Sequence, residues 1–479
     1  MKKFIVGMIG VALLSGCSTT SVNETANEIV AEARPTNVLP TNDHKQDNQT
    51  QNDSTFYEPS ESPAVETSES LGVSSPEESA PAKQEPKPVE SSAPEPSPTA
   101  SEKPSEPTKE PEAVYDTVSF VDNVDLCKIP EYTWTGPHSK GFPIRNNDVP
   151  YSGIVNVAVI PIDFSDATSN GMSSLSTYKK YFDFARSWSN FYSDGKMTYN
   201  ISIHTEWLRA PKKATEYPKR NDYAEYAQMQ DWISVADPYY DFSKTHFVYF
   251  VVPEKAHFEL GADMYGPGIA NTDEGQLISR VFTYAGEPNK IWSHLVHEIL
   301  HDQGFIGHGP ANGSAYGVMM GQWNQSLSVL SWPSFLAGWL DSDDIVCIDA
   351  RKQFATSIIQ VESLDALGAS PGIKSVILRT GETTATVVEY RTDGKFSTLS
   401  ELRHGITAYN LDTSKPSNRC DSCGPQEYED RKNWWNYIRK PGTFDGGGNN
   451  NFNFKSGTIP NTTGFTIKIL SKNIIQISK

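Results

Sequence analysis

His297, Glu298 and His301 make the arrangement His-Glu-x-x-His within the stretch "IWSHLVHEILHDQGFIGHG". On a helix, positions four apart lie on one face about a turn from each other. The two imidazoles therefore project together, at the separation that one tetrahedral zinc ion needs. Glu298, beside the first histidine, reaches a water on such an ion. The chemistry implied is hydrolysis. Zinc lowers the pKa of its water toward neutrality, the carboxylate takes the proton as general base, and the hydroxide attacks a carbonyl polarised by the metal.

A catalytic zinc usually takes three protein ligands and a water, so a third ligand is required. Gly304 stands where the metzincin pattern HExxHxxG has its turn glycine, and in that larger pattern the third ligand follows three residues later. That position is Gly307, and His308 comes next. A one-residue shift can be absorbed by a glycine-rich turn, which makes His308 the expected third ligand. Asp302, a carboxylate from elsewhere in the chain, and His294 are the alternatives. For His294, three residues before His297, a role beside the ligands or at the surface is favoured over ligation. Downstream, Tyr316-Gly317-Val318-Met319-Met320-Gly321 resembles the Met-turn that underlies the metzincin zinc, with Met319 as the turn methionine. A methionine pair by itself is ordinary core packing. Tyr316 is a candidate hydrogen-bond donor to the oxyanion.

These residues need a scaffold, and the sequence supplies one. Trp292, Leu295, Val296, Ile299 and Leu300 are the apolar positions of a helix that ends near Gly304. Residues 154–164, "IVNVAVIPIDF", read as a buried strand with Pro161 at its end or on an edge. Residues 176–193 carry Tyr181, Phe184, Trp188 and Tyr192 at helical spacing and close on Asp194-Gly195. "KMTYNISIHTEW" and "THFVYFVVPE" read as two further strands, in the first of which His204 is a half-buried structural side chain. After residue 349 short β-branched runs such as "KSVILRT", "TATVVEYRT", "HGITAYNLD", "GFTIKIL" and "NIIQIS" are separated by turn residues, without a catalytic constellation. The expected fold class is α+β: a metzincin-like zinc peptidase domain at 113–348, then a small all-β, sandwich-like domain at 349–479.

The 479 residues exceed what those two domains need. Residues 1–17 pair a short basic start with an apolar run and the lipobox-like Leu14-Ser15-Gly16-Cys17, predicting an exported lipoprotein with lipid on Cys17. The segment 18–112 is rich in Pro, Ser and Glu and too poor in apolar residues to offset the entropy of ordering it. It reads as a disordered tether with a contour of about 300 Å. It carries 19 acidic and 6 basic side chains, −13 of the formal −18. The folded part is thus only mildly acidic, with no basic patch of the kind nucleic-acid binding requires. Of five cysteines, four remain once Cys17 is lipidated. Cys127 and Cys347, at the two edges of the peptidase domain, are candidates to bridge, and Cys420 and Cys423 to close a small loop. A redox or metal site is the alternative for the second pair.

Beyond HExxHxxG, most of residues 150–479 resembles the immune-inhibitor-A-like family of secreted bacterial metallopeptidases. "VNVAVIPIDFSDA", "NFYSDGKMTYNISIHTEWLRAP", "YGVMMGQ" with "LSWPSFLAGWLDSDDI", and "TATVVEYRTDGKFSTLSELRHGITAYNLD" occur in the family's order. Where that family continues with Leu-Pro-Asp-x-Tyr, this chain has Phe305-Ile306-Gly307-His308. The resemblance implies a zinc endopeptidase acting on extracellular proteins or peptides, in some members with structural calcium. No loop of this chain is assigned to calcium, and Asp341, Asp343 and Asp344 read as a solvated helix end. Two other functions fit the motif: a lapsed peptidase fold serving as an adhesion or binding lipoprotein, and metal-dependent hydrolysis of a cell-wall target. The intact Glu298 favours hydrolysis over the first of these.

Overall fold

The computed structural model describes residues 123–131, 138–146, 149–218, 225–260, 265–266, 270–277, 281–284, 288–306, 316–366, 371–415, 435–438, 440–441, 452–460, 462 and 464–479. Residues 1–17 with Cys17, residues 18–112, His308, Cys420 and Cys423 lie outside the described residues. The elements of the first half are β1 (Gly153–Asp163), α1 (Ser174–Tyr192), β2 (Met197–Ile203), β3 (Leu208–Arg209), α2 (Glu225–Ala236) and β4 (Phe247–Val251). There follow α3 (Glu254–Leu260), β5 (Tyr265–Gly266), β6 (Ala270–Thr272), β7 (Gly275–Leu277), β8 (Val281–Tyr284) and α4 (Pro288–Asp302). The second half holds α5 (Ser331–Leu336), β9 (Ile345–Asp349), β10 (Ser357–Gln360), β11 (Ser375–Arg379), β12 (Thr384–Arg391) and β13 (Gly405–Asp412). It ends with β14 (Trp435–Tyr437), β15 (Asn453–Phe454), β16 (Gly457–Ile459), β17 (Thr466–Ser471) and β18 (Ile474–Ser478). The protein is mixed α/β, with few helices and several sheets. Among the described residues no helix is long and apolar enough to cross a membrane.

The first sheet runs β2-β1-β4-β8-β5, with β3 pairing β1. β1, β2, β4 and β8 are mutually parallel, and β5 runs antiparallel at the edge. Such a sheet is covered on both faces, so its strands read as continuous apolar runs rather than alternating ones. Val155, Val157 and Val159 of β1 join α1 and α4 in one core, while Ala158, Ile160 and Ile162 join α2 and α3 in another. β1 continues through Pro161 to Asp163, so the proline does not end the strand. It sits where β1 changes partners, after β2 pairing stops at Val159 and before β3 pairing begins at Ile162. A residue without an N–H is tolerated where the ladder is interrupted. The buried stripe of α1 is also turned from the expected one: Tyr178, Phe182, Ala185, Trp188 and Tyr192 are buried, with Tyr181 and Phe184 at its margin.

The second sheet, β14-β13-β12-β11-β9 with β15 against β13, packs on a four-stranded antiparallel sheet, β10-β18-β17-β16. Strand alternation divides it between two cores. Val376, Leu378, Val388, Ile406 and Ala408 face Ile467, Ile469, Ile475 and Ile477 of the smaller sheet. Ile377, Val387, Tyr409 and Leu411 point the other way, into the same core as α1 and α4. The expected boundary at 348/349 falls inside β9, which pairs in parallel with β11 and belongs to this second sheet. The β region is therefore an integral wall of the helical core. Links near the amino end of the described chain cross the junction. Cys127 and Cys347 form a disulfide with Cα atoms 5.9 Å apart. Lys140, fully buried, donates to the carbonyls of Thr413 and Lys415 and lies 3.7 Å from Glu131.

Candidate metal centre

α4 carries two faces. Ile291, Trp292, Leu295, Val296, Ile299 and Leu300 are buried in the core. His294, His297, Glu298 and His301 follow the i, i+3, i+4, i+7 pattern and share the other side. The helix closes on Gly304, whose φ is +88°. The Gly304 amide donates to the His301 carbonyl and the Phe305 amide to that of Leu300. This is the Schellman pattern, in which a left-handed residue satisfies the last carbonyls of a helix. A second constraint also demands glycine there. A Cβ on Gly304 would lie 1.7 Å from the carbonyl oxygen of Arg145. That close approach lets the segment around Ser139 cross the helix end, with the Ser139 amide donating to the Gly304 carbonyl at 2.9 Å.

The Nε2 atoms of His297 and His301 lie 3.1 Å apart, their rings nearly perpendicular at 88°. Tetrahedral zinc with Zn–N bonds of about 2.05 Å sets its nitrogens about 3.3 Å apart, so the pair fits one such ion. The Nδ1 of His297 lies 2.8 Å from the carbonyl oxygen of Val318. A carbonyl only accepts, so Nδ1 carries the hydrogen and Nε2 presents its lone pair toward His301. Donor atoms of His297, Glu298 and His301 all lie within 4.8 Å of one another, and among the described residues this is the cluster able to hold a metal ion. His297 is buried, while Glu298 and His301 are half-buried. His138, from the crossing segment, stacks at a tilt against His301 with ring centroids 5.0 Å apart.

The turn beneath the pair is built from Gly317 to Met320, with the Met320 amide donating to the Gly317 carbonyl. Met319 is buried in the shared core. The Val318 amide donates to the Ser328 carbonyl and the Gly317 amide to that of Ser326, so residues 326–331 form a strap under the turn. That strap rests on a charged cluster supplied by the β region. Arg391 Nη1 donates to Ser328 Oγ at 2.6 Å, and Ser326 Oγ donates to Asp365 at 2.7 Å. Glu389 Oε1 accepts from the amide and hydroxyl of Ser331 and from the Tyr409 hydroxyl. Arg391 lies 3.1 Å from Glu389 and 3.5 Å from Asp365, and all three side chains are closed to solvent. Burial would lower the Arg391 pKa, but the two carboxylates outweigh it and the guanidinium stays charged. Burial raises Asp365, with Arg391 opposing.

Of the expected site residues, His297, Glu298 and His301 come together, and Met319 lies in the turn below them. Tyr316 departs from its expected role. It is fully buried and its one hydroxyl proton is donated to the Arg403 carbonyl at 2.7 Å, so that proton does not point to an oxyanion. Burial also holds the phenol above its ordinary range. Asp302 is buried but outside the donor cluster. His294 turns its Nε2 to Glu298 at 3.4 Å and its Nδ1 to the Tyr249 hydroxyl at 2.8 Å. Tyr249, the Val318 carbonyl, His138 and the Arg391 cluster are contributors the motif did not point to. The available signals were a lone hydroxyl in the apolar run "FVYFV" and two charges, Glu389 and Arg391, in the apolar strand "TATVVEYR".

The molecule is thus a mixed α/β protein with a His–Glu–His cluster on one helix, oriented by a backbone carbonyl. No protein-family model and no curated protein matches the chain.

Proposed function

We propose that this chain is a metzincin-like zinc endopeptidase, similar to the immune-inhibitor-A-like enzymes, that hydrolyses extracellular proteins or peptides. The observation that carries this reading is the His297–His301 pair: two Nε2 atoms 3.1 Å apart, that of His297 aimed by the Val318 carbonyl, with the Glu298 carboxylate in reach. His308 is proposed as the third ligand. A bound zinc would supply Lewis acidity, polarising a carbonyl and acidifying a coordinated water. Glu298 accepts the proton of the attacking water at a carboxylate oxygen and delivers it to the departing amine. The Val318 carbonyl keeps His297 in the tautomer that can ligate.

The test is zinc content and digestion of labelled casein by the purified full chain. About one zinc per chain, chelator-sensitive cleavage, and a loss of roughly 100-fold or more in Glu298→Ala with zinc retained are expected. Full cleavage by Glu298→Ala would refute the mechanism. The lipobox and tether are read as placing the enzyme on the outer face of a membrane or at the cell surface. Cys17→Ala should then release it from the membrane fraction, and retention would refute the lipid anchor.

A further inference from the structure

We propose that Tyr249 and His294 form a positioning relay for the Glu298 carboxylate, an inference that rests on the reading of Glu298 as general base. His294 precedes Glu298 by one turn of α4 and is 3 % exposed. Its Nε2 faces Oε1 of Glu298 at 3.4 Å. Its Nδ1 lies 2.8 Å from the hydroxyl of Tyr249, whose strand β4 is buried along all five of its residues.

The direction of each contact follows from what the groups can do. A carboxylate facing an imidazole nitrogen accepts, so Nε2 carries the hydrogen. Nδ1 of the neutral ring is then an acceptor, and the Tyr249 O–H donates to it. The result is a one-way series from Tyr249 to His294 to Glu298, in which each dipole strengthens the next in a water-poor setting. The consequence for Glu298 is orientational. Its side chain has three rotatable bonds, and a donor on Oε1 selects one rotamer and leaves Oε2 directed to the reacting water. A 3.4 Å separation is long for a hydrogen bond, and such contacts tighten when substrate and metal load the site. With both ring nitrogens turned to Tyr249 and Glu298, His294 lies outside the donor cluster of His297 and His301. It is a positioning residue rather than a ligand.

The experiment uses the zinc-loaded full chain with His294→Leu, Tyr249→Phe, Glu298→Gln and the double variant His294→Leu/Glu298→Gln. Two readouts are taken: kcat and KM on labelled casein, and calorimetric binding of acetohydroxamate, a zinc-directed probe whose acidic proton a neighbouring carboxylate accepts. His294→Leu should lower kcat roughly 10- to 100-fold, with KM within about twofold and zinc stoichiometry unchanged. Tyr249→Phe, which removes one oxygen and leaves the packing in place, should lower kcat roughly threefold to tenfold and serves if the leucine variant fails to fold. Acetohydroxamate should bind roughly tenfold more weakly to His294→Leu, and no more weakly to the double variant than to Glu298→Gln. Equal losses with and without the Glu298 carboxylate would overturn the relay, as would zinc lost in step with kcat. Coupled hydroxamate binding without casein cleavage would leave the relay standing and remove the peptidase reading. Casein cleavage with no coupling would do the reverse, and a chain that takes up no zinc would remove both.

Discussion

Replacing Arg391 with methionine removes one charge from a cluster that no water reaches. The methionine fills much of the same volume, so packing loss is small and the effect is electrostatic. Asp365 and Glu389, both closed to solvent, lose the guanidinium that sits 3.5 Å and 3.1 Å from them. Breaking a buried ion pair from one side costs about 3–5 kcal/mol, because the remaining charge is uncompensated. At about 2 °C per kcal/mol for a domain of this size, the thermal midpoint of the metal-free protein should fall by about 6–10 °C at pH 7.5. The loss should depend on pH in a definite direction. Burial already raises the folded-state pKa of Asp365, and Arg391 is what restrains that rise. A carboxyl with a raised folded pKa favours the fold while protonated, and that contribution is lost as pH rises through the folded value. Without Arg391 the folded value rises further, so the deficit should be largest at neutral pH and shrink toward pH 4.5. Adding Asp365→Asn and Glu389→Gln should recover at least half of it, since both amides keep an oxygen for Ser326, Ser331 and Tyr409. Scanning calorimetry in chelator at the two pH values measures all of this. A midpoint within 1 °C of the parent, or a deficit independent of pH, would refute the reasoning.

His308→Ala should lose zinc affinity by at least roughly 100-fold, read by competition with a chromophoric chelator, while circular dichroism stays that of the parent. Unchanged affinity would move the third ligand elsewhere. Gly304→Ala should cost about 1–3 kcal/mol for the left-handed backbone alone, with more from the 1.7 Å approach to the Arg145 carbonyl. A parent-like urea midpoint would contradict that geometry. Removing the Cys127–Cys347 bridge, which spans 220 residues of sequence, should destabilise by about 2–5 kcal/mol in denaturant unfolding. A paired serine variant as stable as the oxidised parent would count against the bridge.

Much of the fold was legible because its signals are local. β1, β4 and the strands after residue 349 announce themselves as β-branched runs, and α4 by the period of Trp292, Leu295, Val296 and Ile299. The departures arise where distant parts decide. Pro161 reads as a strand end or an edge position, and β1 runs on through it because the gap between β2 and β3 gives it an edge on one side only. Tyr181 and Phe184 look like the core stripe of α1, but packing against the sheet buries Tyr178 and Phe182 and leaves the other two at the margin. The boundary at 348/349 fails for the same reason. The run from Ile345 to Ile348 reads as the end of the first domain, and its partner β11 lies beyond a long connection.

The site divides along the same line. His297, Glu298 and His301 are legible because one helical turn fixes their spacing, whatever surrounds them. Nothing within that turn says which nitrogen of His297 carries the hydrogen, and the answer comes from the Val318 carbonyl, twenty-one residues on. That carbonyl is in turn held by a strap resting on three buried charges, Asp365 in a short turn and Glu389 and Arg391 in β12, all far from the motif in sequence. His294 shows the consequence most plainly. Alone, a histidine three residues before His297 reads as a neighbour of the ligands or a surface residue, and less readily as a ligand. Tyr249, on β4, takes its Nδ1, and its Nε2 faces Glu298. A helix can present four polar side chains on one face, but the rest of the fold sets the partners of each.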